Sequence, residues 1–229
     1  MTEFFLAPHV HFCCRGGAFV FLDLKQDDYT LVNGRAAAAL QQLSTQGHLN
    51  NAQPELADAL EELVEGGLLT TDPNAGKSIR STQAEIALEP LLDPEAFSSI
   101  HPRLTHLYHF IAACSIAAAR LKWGHIENTV KSVERRKARR APAAHFDVNK
   151  ARELTAIFRT LRSLFPRDYL CLYDSLALLE FLARFDIYPT WVFGIRLEPW
   201  VAHCWVQQGK FVFNEEVEEA AGYTPIMTV

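Results

Sequence analysis

Residues 190–215 constrain the fold more than any other stretch. "TWVFGIRL" (190–197), "VAHCWVQ" (201–207) and "KFVFNE" (210–215) are short runs rich in β-branched and aromatic residues, joined only by "EPW" and "QG". Connections that short leave no room for a crossover helix, so the three runs pair antiparallel as a meander. Ahead of them, "DYLCLYDSLALLEFLARF" (168–185) sets Leu172, Leu176 and Leu179 at helical spacing, with Asp168 as the expected N-cap. A helix followed by an antiparallel meander predicts an α+β class, helices packed on a small antiparallel sheet.

The chain of 229 residues, 49% hydrophobic and 21% charged, is long enough for one large domain or two modest ones. It has no run of 18 apolar residues. Its first twenty residues lack the basic start, apolar stretch and cleavage pattern of a signal peptide, so a cytoplasmic protein without a membrane span is expected. Five cysteines (13, 14, 114, 171 and 204) without a C-x-x-C pair fit reduced thiols better than a disulfide framework or a zinc site. Charge divides the chain. Residues 1–80 carry five Lys/Arg against ten Asp/Glu, and residues 81–229 carry seventeen of each, so the net charge of −5 lies wholly in the first part. Two domains, 1–80 and 81–229, are expected. Within the second, residues 120–167 hold thirteen basic and four acidic residues around "ERRKARR" (134–140), either a solvated helix face or a partner surface.

The first domain reads as a small α+β unit. In "HVHFCCRGGAFVFLDLKQDDYTLV" (9–32), Gly16-Gly17 divides two strand-like runs, and Gln26-Asp27-Asp28 precedes a third, Tyr29 to Val32. Cys13 and Cys14 point to opposite faces of one strand, one of them buried. Asn33 then caps "GRAAAALQQL". Pro54 opens "PELADALEELVEGG", whose Leu56, Leu60, Leu63 and Val64 share a face and whose glycines end the helix. Three strands followed by two helices is a winged-helix-like order, but the net acidic surface excludes a nucleic-acid reader. The third strand is left as a free edge able to accept an extended peptide. Tyr29, Leu31, Leu60 and Val64 are the residues expected to line the groove between that edge and the helix of residues 54–65.

Residues 71–82, "TDPNAGKSIRST", have a linker's composition. Their "GKS" is not a phosphate-binding loop, because the first glycine of that pattern falls on Thr71. Residues 93–135 read as mainly helical, with His106 and His109 on one face and His101 before them. Metal ligation there lacks a further carboxylate or cysteine, so no metal is expected. A helix over Asp147 to Leu164 sets Leu154, Ile157, Phe158, Leu161 and Leu164 as a core stripe ended by Pro166.

The chemistry gathers after Pro166. Cys171 lies in the first turn of its helix, where the positive dipole end and free backbone N–H groups favour thiolate over thiol. His203, on the middle strand-like run, is a base within reach of such a nucleophile. The hairpin that follows returns an acid-bearing strand to its side. A turn at Gln208-Gly209 sets His203 opposite Asn214; a turn over Gln208 to Lys210 sets it opposite Glu215. Either partner orients the imidazole and fixes its tautomer.

The pattern "CLYDSLALLEFL", "FGIRL", "AHCWVQ", "FVFNEE" and "YTPI" over residues 165–227 resembles the transglutaminase-like, papain-like cysteine peptidases of lasso peptide biosynthesis. These B proteins remove the leader from a ribosomally made precursor peptide. The first third is similar to the PqqD-like elements that bind leader peptides, so the chain resembles the fused form. The resemblance implies Cys171 as nucleophile, His203 as base and Glu215 as orienting acid, where the family usually has Asp; Asn214 is the alternative third member. It leaves Cys204 a structural role on the opposite strand face. It also implies a precursor leader and an ATP-using, asparagine-synthetase-like cyclase as partners, no directly bound cofactor, and a cleavage activity that depends on that cyclase. The rival readings are acyl transfer to an amine, as in transglutaminases and arylamine acetyltransferases, and noncatalytic peptide binding.

Overall fold

The protein is described from a computed structural model covering residues 3–46, 54–92, 101–140, 146–166 and 168–229. It forms two compact units, Met1–Gln83 with Thr224–Met227, and Ala84–Tyr223 with Thr228–Val229.

The first unit begins with β1 (Phe5–Leu6), β2 (Val10–Arg15), β3 (Ala18–Asp23) and β4 (Asp28–Val32). β2, β3 and β4 form an antiparallel sheet in that order. Gly16 and Gly17 sit at φ 60° and 78°, the left-handed values that a two-residue hairpin turn requires. Alternation then sorts the side chains. Val10, Phe12, Phe19, Phe21 and Val32 face the core, where Leu40 of α1 (Gly34–Gln46) and Leu56 and Leu60 of α2 (Pro54–Glu65) meet them. Cys13 is buried and Cys14 half-buried, as the strand pattern predicts. Gly67, at φ 75°, ends α2 by returning its N–H to the Val64 carbonyl. The sequence did not announce β5 (Leu69–Thr70), which pairs with β1. Nor is the expected linker loose throughout, because Lys77 exchanges both backbone hydrogen bonds with Leu6 and Ile79 is buried.

The second unit is built around one helix. β6 (Glu89–Pro90) leads to α3 (Leu104–Trp123), α4 (Ile126–Arg140), α5 (Val148–Ser163) and α6 (Cys171–Leu182). β7 (Thr190–Arg196), β8 (Val201–Gln208), β9 (Phe211–Val212) and α7 (Val217–Gly222) follow, and of β10 (Thr224–Thr228) only Thr228 belongs to this unit. The meander forms as expected: β7 pairs antiparallel with β8, and β8 with β9. β6 adds parallel to β9, and Trp191 exchanges both backbone hydrogen bonds with Val229.

Residues 173–182 of α6 are buried on every side, with α3 and α5 against one flank and β8 against the other. Such a helix carries polar groups only where they are paired. Glu180 binds Arg120 at 2.7 Å and Arg136 at 2.6 Å. Lys137 Nζ donates to Thr190 Oγ1 and to the Val229 carbonyl. Part of the basic run therefore serves the interior, while Arg135, Arg139 and Arg140 stay exposed.

Three boundaries differ from the sequence reading. The helical region before residue 140 breaks at Gly124 into α3 and α4, and residues 93–100 of that reading lie outside the described residues. Asp147 caps α5 through the N–H groups of Asn149 and Lys150, but Leu164 ends up 78% exposed because the helix stops one residue earlier. Asp168 does not cap α6; Leu170 occupies the N-cap and Cys171 is the first helical residue.

Candidate active site

The segment entering α6 is fixed from below. Asp174, buried in the first turn, forms an ion pair with Arg162 and accepts the Leu170 N–H at 2.8 Å. The same guanidinium donates to the Asp168 carbonyl at 2.9 Å. Residues 168–170 are thus tied to α5, and Cys171 starts its helix at a defined place with the free N–H groups of the first turn around it. Tyr169 closes the segment from above by donating to the Asn214 carbonyl at 3.3 Å.

His203 lies on β8 directly opposite Gly194 of β7. Its ring packs against Tyr223 at 5.0 Å and Trp205 at 6.1 Å. Gly194 makes this wall possible: a Cβ there would stand 2.9 Å from the Trp205 ring and 3.0 Å from the Tyr223 Cβ. An isolated glycine inside a strand is the sequence signal of such a close approach.

The hairpin after β8 takes a third register, neither of the two expected. Gln208 pairs with Phe211, so the turn is Gly209-Lys210, with Gly209 first at φ 56°. Glycine at the first turn position permits this two-residue geometry. Regular pairing ends at Val212, and Asn214 then acts as a staple. Its Oδ1 accepts the Val206 N–H at 2.7 Å, and its Nδ2 donates to Ser175 Oγ at 3.0 Å. With the chain pinned there, the Glu215 carboxylate meets His203 Nε2 at 2.6 Å. Glu215, not Asn214, is the imidazole's partner, and the other ring nitrogen is left for the sulfur.

Cys171 and His203 act on each other's protons through a side-chain hydrogen bond. The thiol is brought down to about 4, first by the Cys204 side-chain donor and then, against the penalty of burial, by His203 and the Cys204 backbone. Burial pulls the imidazole the other way, yet its bonds to Cys171 and Glu215 lift it to about 9. Burial also opposes the Glu215 carboxylate, but His203 and the Glu216 N–H hold it below its ordinary value. At neutral pH the group is a thiolate beside an imidazolium backed by a carboxylate, which is the charge state of an activated cysteine nucleophile. Cys204 is not merely packing. Burial holds its own thiol protonated, and it donates to Cys171. Its carbonyl accepts from Ser175 Oγ at 3.2 Å. Sequence reading missed Cys204, Ser175 and Asp174, although Ser175, four residues after Cys171 on a helix, shares its face.

The other candidate residues fall elsewhere. Tyr29 and Leu31 lie on the face of β4 opposite the core, because their cross-strand partners Leu22 and Val20 alternate with the core-facing Phe19 and Phe21. Leu31 is 51% exposed, whereas Leu60 is fully buried in the core and Val64 half-buried at its margin. The four do not converge. His106 accepts the Arg103 N–H, and both His106 and His109 pack edge-on against Phe185. Among the described residues, no group of three or more His, Cys, Asp or Glu side chains is arranged to hold a metal ion. Among the same residues, no helix is long and apolar enough to cross a membrane.

The family profile of the Transglutaminase-like superfamily matches residues 111–228, which is 118 of the 229 residues. The chain belongs to the transglutaminase-like superfamily. Cysteine peptidase or acyltransferase-like activity is the chemistry of that superfamily, and the matched span contains Cys171, His203 and Glu215. Comparison with the curated proteins and with the solved structures gives no match.

Proposed function

We propose that this transglutaminase-like protein is the leader peptidase of lasso peptide biosynthesis. In this reading the Cys171 thiolate attacks the carbonyl carbon at the leader-core junction, and first-turn N–H groups of α6 stabilise the oxyanion. The His203 imidazolium protonates the leaving amine, then accepts a proton from the water that hydrolyses the thioester. Glu215 holds the ring and supports its charge throughout. The observation that carries the reading is the hydrogen-bonded series Cys171, His203 and Glu215 Oε2, the last step at 2.6 Å, with the thiol brought down to about 4. The assignment to lasso peptides rests on the sequence resemblance around those residues.

The leader is held by the first unit. β4 is the outer strand of its three-stranded sheet, which supports pairing with an extended peptide, and Leu31 and Tyr29 supply contacts on one face. Leu60 serves the core. The released core passes to an ATP-using, asparagine-synthetase-like cyclase, for which exposed Arg135, Arg139 and Arg140 offer a docking face. Incubating the full chain with its cognate precursor, cyclase and a primary amine, followed by mass spectrometry, tests the reading. Free leader acid is the expected product. An amine adduct in its place would assign acyl transfer instead, and an unchanged precursor would remove the peptidase reading.

A further inference from the structure

A groove of about 690 Å³ opens beside Glu215 and Tyr169 and runs along α6 to Leu178. Asp174 and Leu178, three and seven residues after Cys171, are the buried α6 residues that line it, on the helical stripe that Cys171 begins. Neither Cys171 nor His203 lines it, so it lies beyond the reacting groups. Its walls include Leu88, Pro90, Phe158 and Val217, and Leu88 is 63% exposed although it faces this space. The ionic lining is unbalanced. Arg159 and Arg162 stand against four carboxylates, Asp174, Glu215, Glu216 and Glu218; Arg162 is neutralised by Asp174, and Glu215 is held by His203. Glu216 and Glu218 are exposed and have no ion-pair partner among the described residues.

We propose that this groove receives the peptide segment flanking the scissile amide, and that it selects an apolar side chain adjacent to a Lys or Arg. The proposal rests on the peptidase reading above and adds the class of sequence that it favours. Apolar walls remove the aliphatic side chain from water, while the Glu216 and Glu218 carboxylates meet the neighbouring cation at the solvent side. Electrostatic complementarity of this kind governs selectivity more than affinity. Anionic segments are rejected by the same two groups.

Protection of Cys171 tests this locally. The full chain is alkylated with iodoacetamide at pH 7, and modification of Cys171 is followed by mass spectrometry. The reaction is run with a hexapeptide of alternating Leu and Lys, or with one of alternating Leu and Glu. The Lys peptide is expected to slow alkylation at least fivefold, and the Glu peptide at the same concentration by less than twofold. In E216Q/E218Q the two peptides should protect alike. Equal protection by both peptides in the unaltered chain, or a Lys preference that survives in E216Q/E218Q, overturns the proposal. Protection does not require turnover. A chain that binds as expected but leaves its precursor intact would lose the peptidase reading alone, and one that cleaves the precursor without this charge preference would lose the groove alone.

Discussion

His11 and Cys13 stand two residues apart on β2, and His203 faces Cys171 across β8 and the start of α6. Both places hold a cysteine and an imidazole away from bulk water, yet the charge states are opposite. Burial raises the Cys13 thiol to about 12, and burial with the nearby Lys77 ammonium lowers His11 to about 3, so both are neutral. Donors and a carboxylate bring Cys171 down to about 4 and His203 up to about 9, so both are charged. Removal from water alone drives titratable groups to neutrality; ionisation needs an opposite charge or a donor within reach. Residues i and i+2 on one strand are about 6.6 Å apart, too far for a direct hydrogen bond. His11 finds Lys77 Nζ at 3.5 Å instead, the wrong sign of charge for an imidazolium. A helix start packed against a strand brings the second pair into contact.

The largest break in this contrast comes from removing either reacting group. Cys171→Ala or His203→Ala should lower leader cleavage by roughly 10³-fold or more while leaving the fold intact, since neither fills a large core volume. Precursor turnover by mass spectrometry and far-ultraviolet circular dichroism measure the two effects. Cleavage above a few per cent in either variant would remove these residues from the chemistry.

The third residue follows in size. Glu215→Ala removes the partner that orients His203 and should cost roughly 10²-fold in rate with little change in stability. Asn214→Ala acts differently, because it strands the Val206 N–H and removes the donor to Ser175 Oγ. That variant should lose about 1–3 kcal/mol in urea unfolding. A larger rate loss for Asn214→Ala at unchanged stability would reverse the two roles.

Much of this site was legible in the sequence because its signals are local. Cys171 at a helix start, His203 in a strand-like run and an acid past a Gln-Gly turn each follow from periodicity and turn residues. The partner of His203 was not legible. Moving the turn by one residue changes every cross-strand neighbour, and only the conformation of Gly209 and the Asn214 staple determine it. The long-range pairings of β1 with β5 and β6 with β9 involve two residues each, too few to leave a pattern. Leu60 shows the same limit on the recognition side. Its place on an apolar stripe marks it as buried against something, but not whether core or ligand covers it.

The pH profile sharpens the contrast at smaller amplitude. A lowered thiol makes the thiolate available above pH about 4, and a raised imidazole keeps its proton below pH about 9. Hydrolysis should therefore be bell-shaped between those limits, falling on the acid side as the thiolate protonates and on the alkaline side as the imidazolium is lost. Cys204→Ala removes the leading donor to that thiolate, so the acid limb should move upward. Each unit of movement is tenfold in rate below the limb and nothing above it. Iodoacetamide alkylation of Cys171 across pH reads this directly, and an unmoved limb would return Cys204 to a packing role.

The smallest effect belongs to the neutral pair. A thiol raised to about 12 is ionised only about once in 10⁴ molecules at pH 8, so Cys13 should resist iodoacetamide in the native chain while Cys171 reacts fully. Cys13→Ala should leave cleavage unchanged, because its side chain sits on β2 in the first unit and contributes only packing. Its cost should appear as about 1 kcal/mol in urea unfolding, the ordinary size for trimming a small buried side chain. Alkylation of Cys13 at a rate comparable to Cys171 would show that position in the fold, not partnership with a donor and an imidazolium, sets the reactivity of these cysteines.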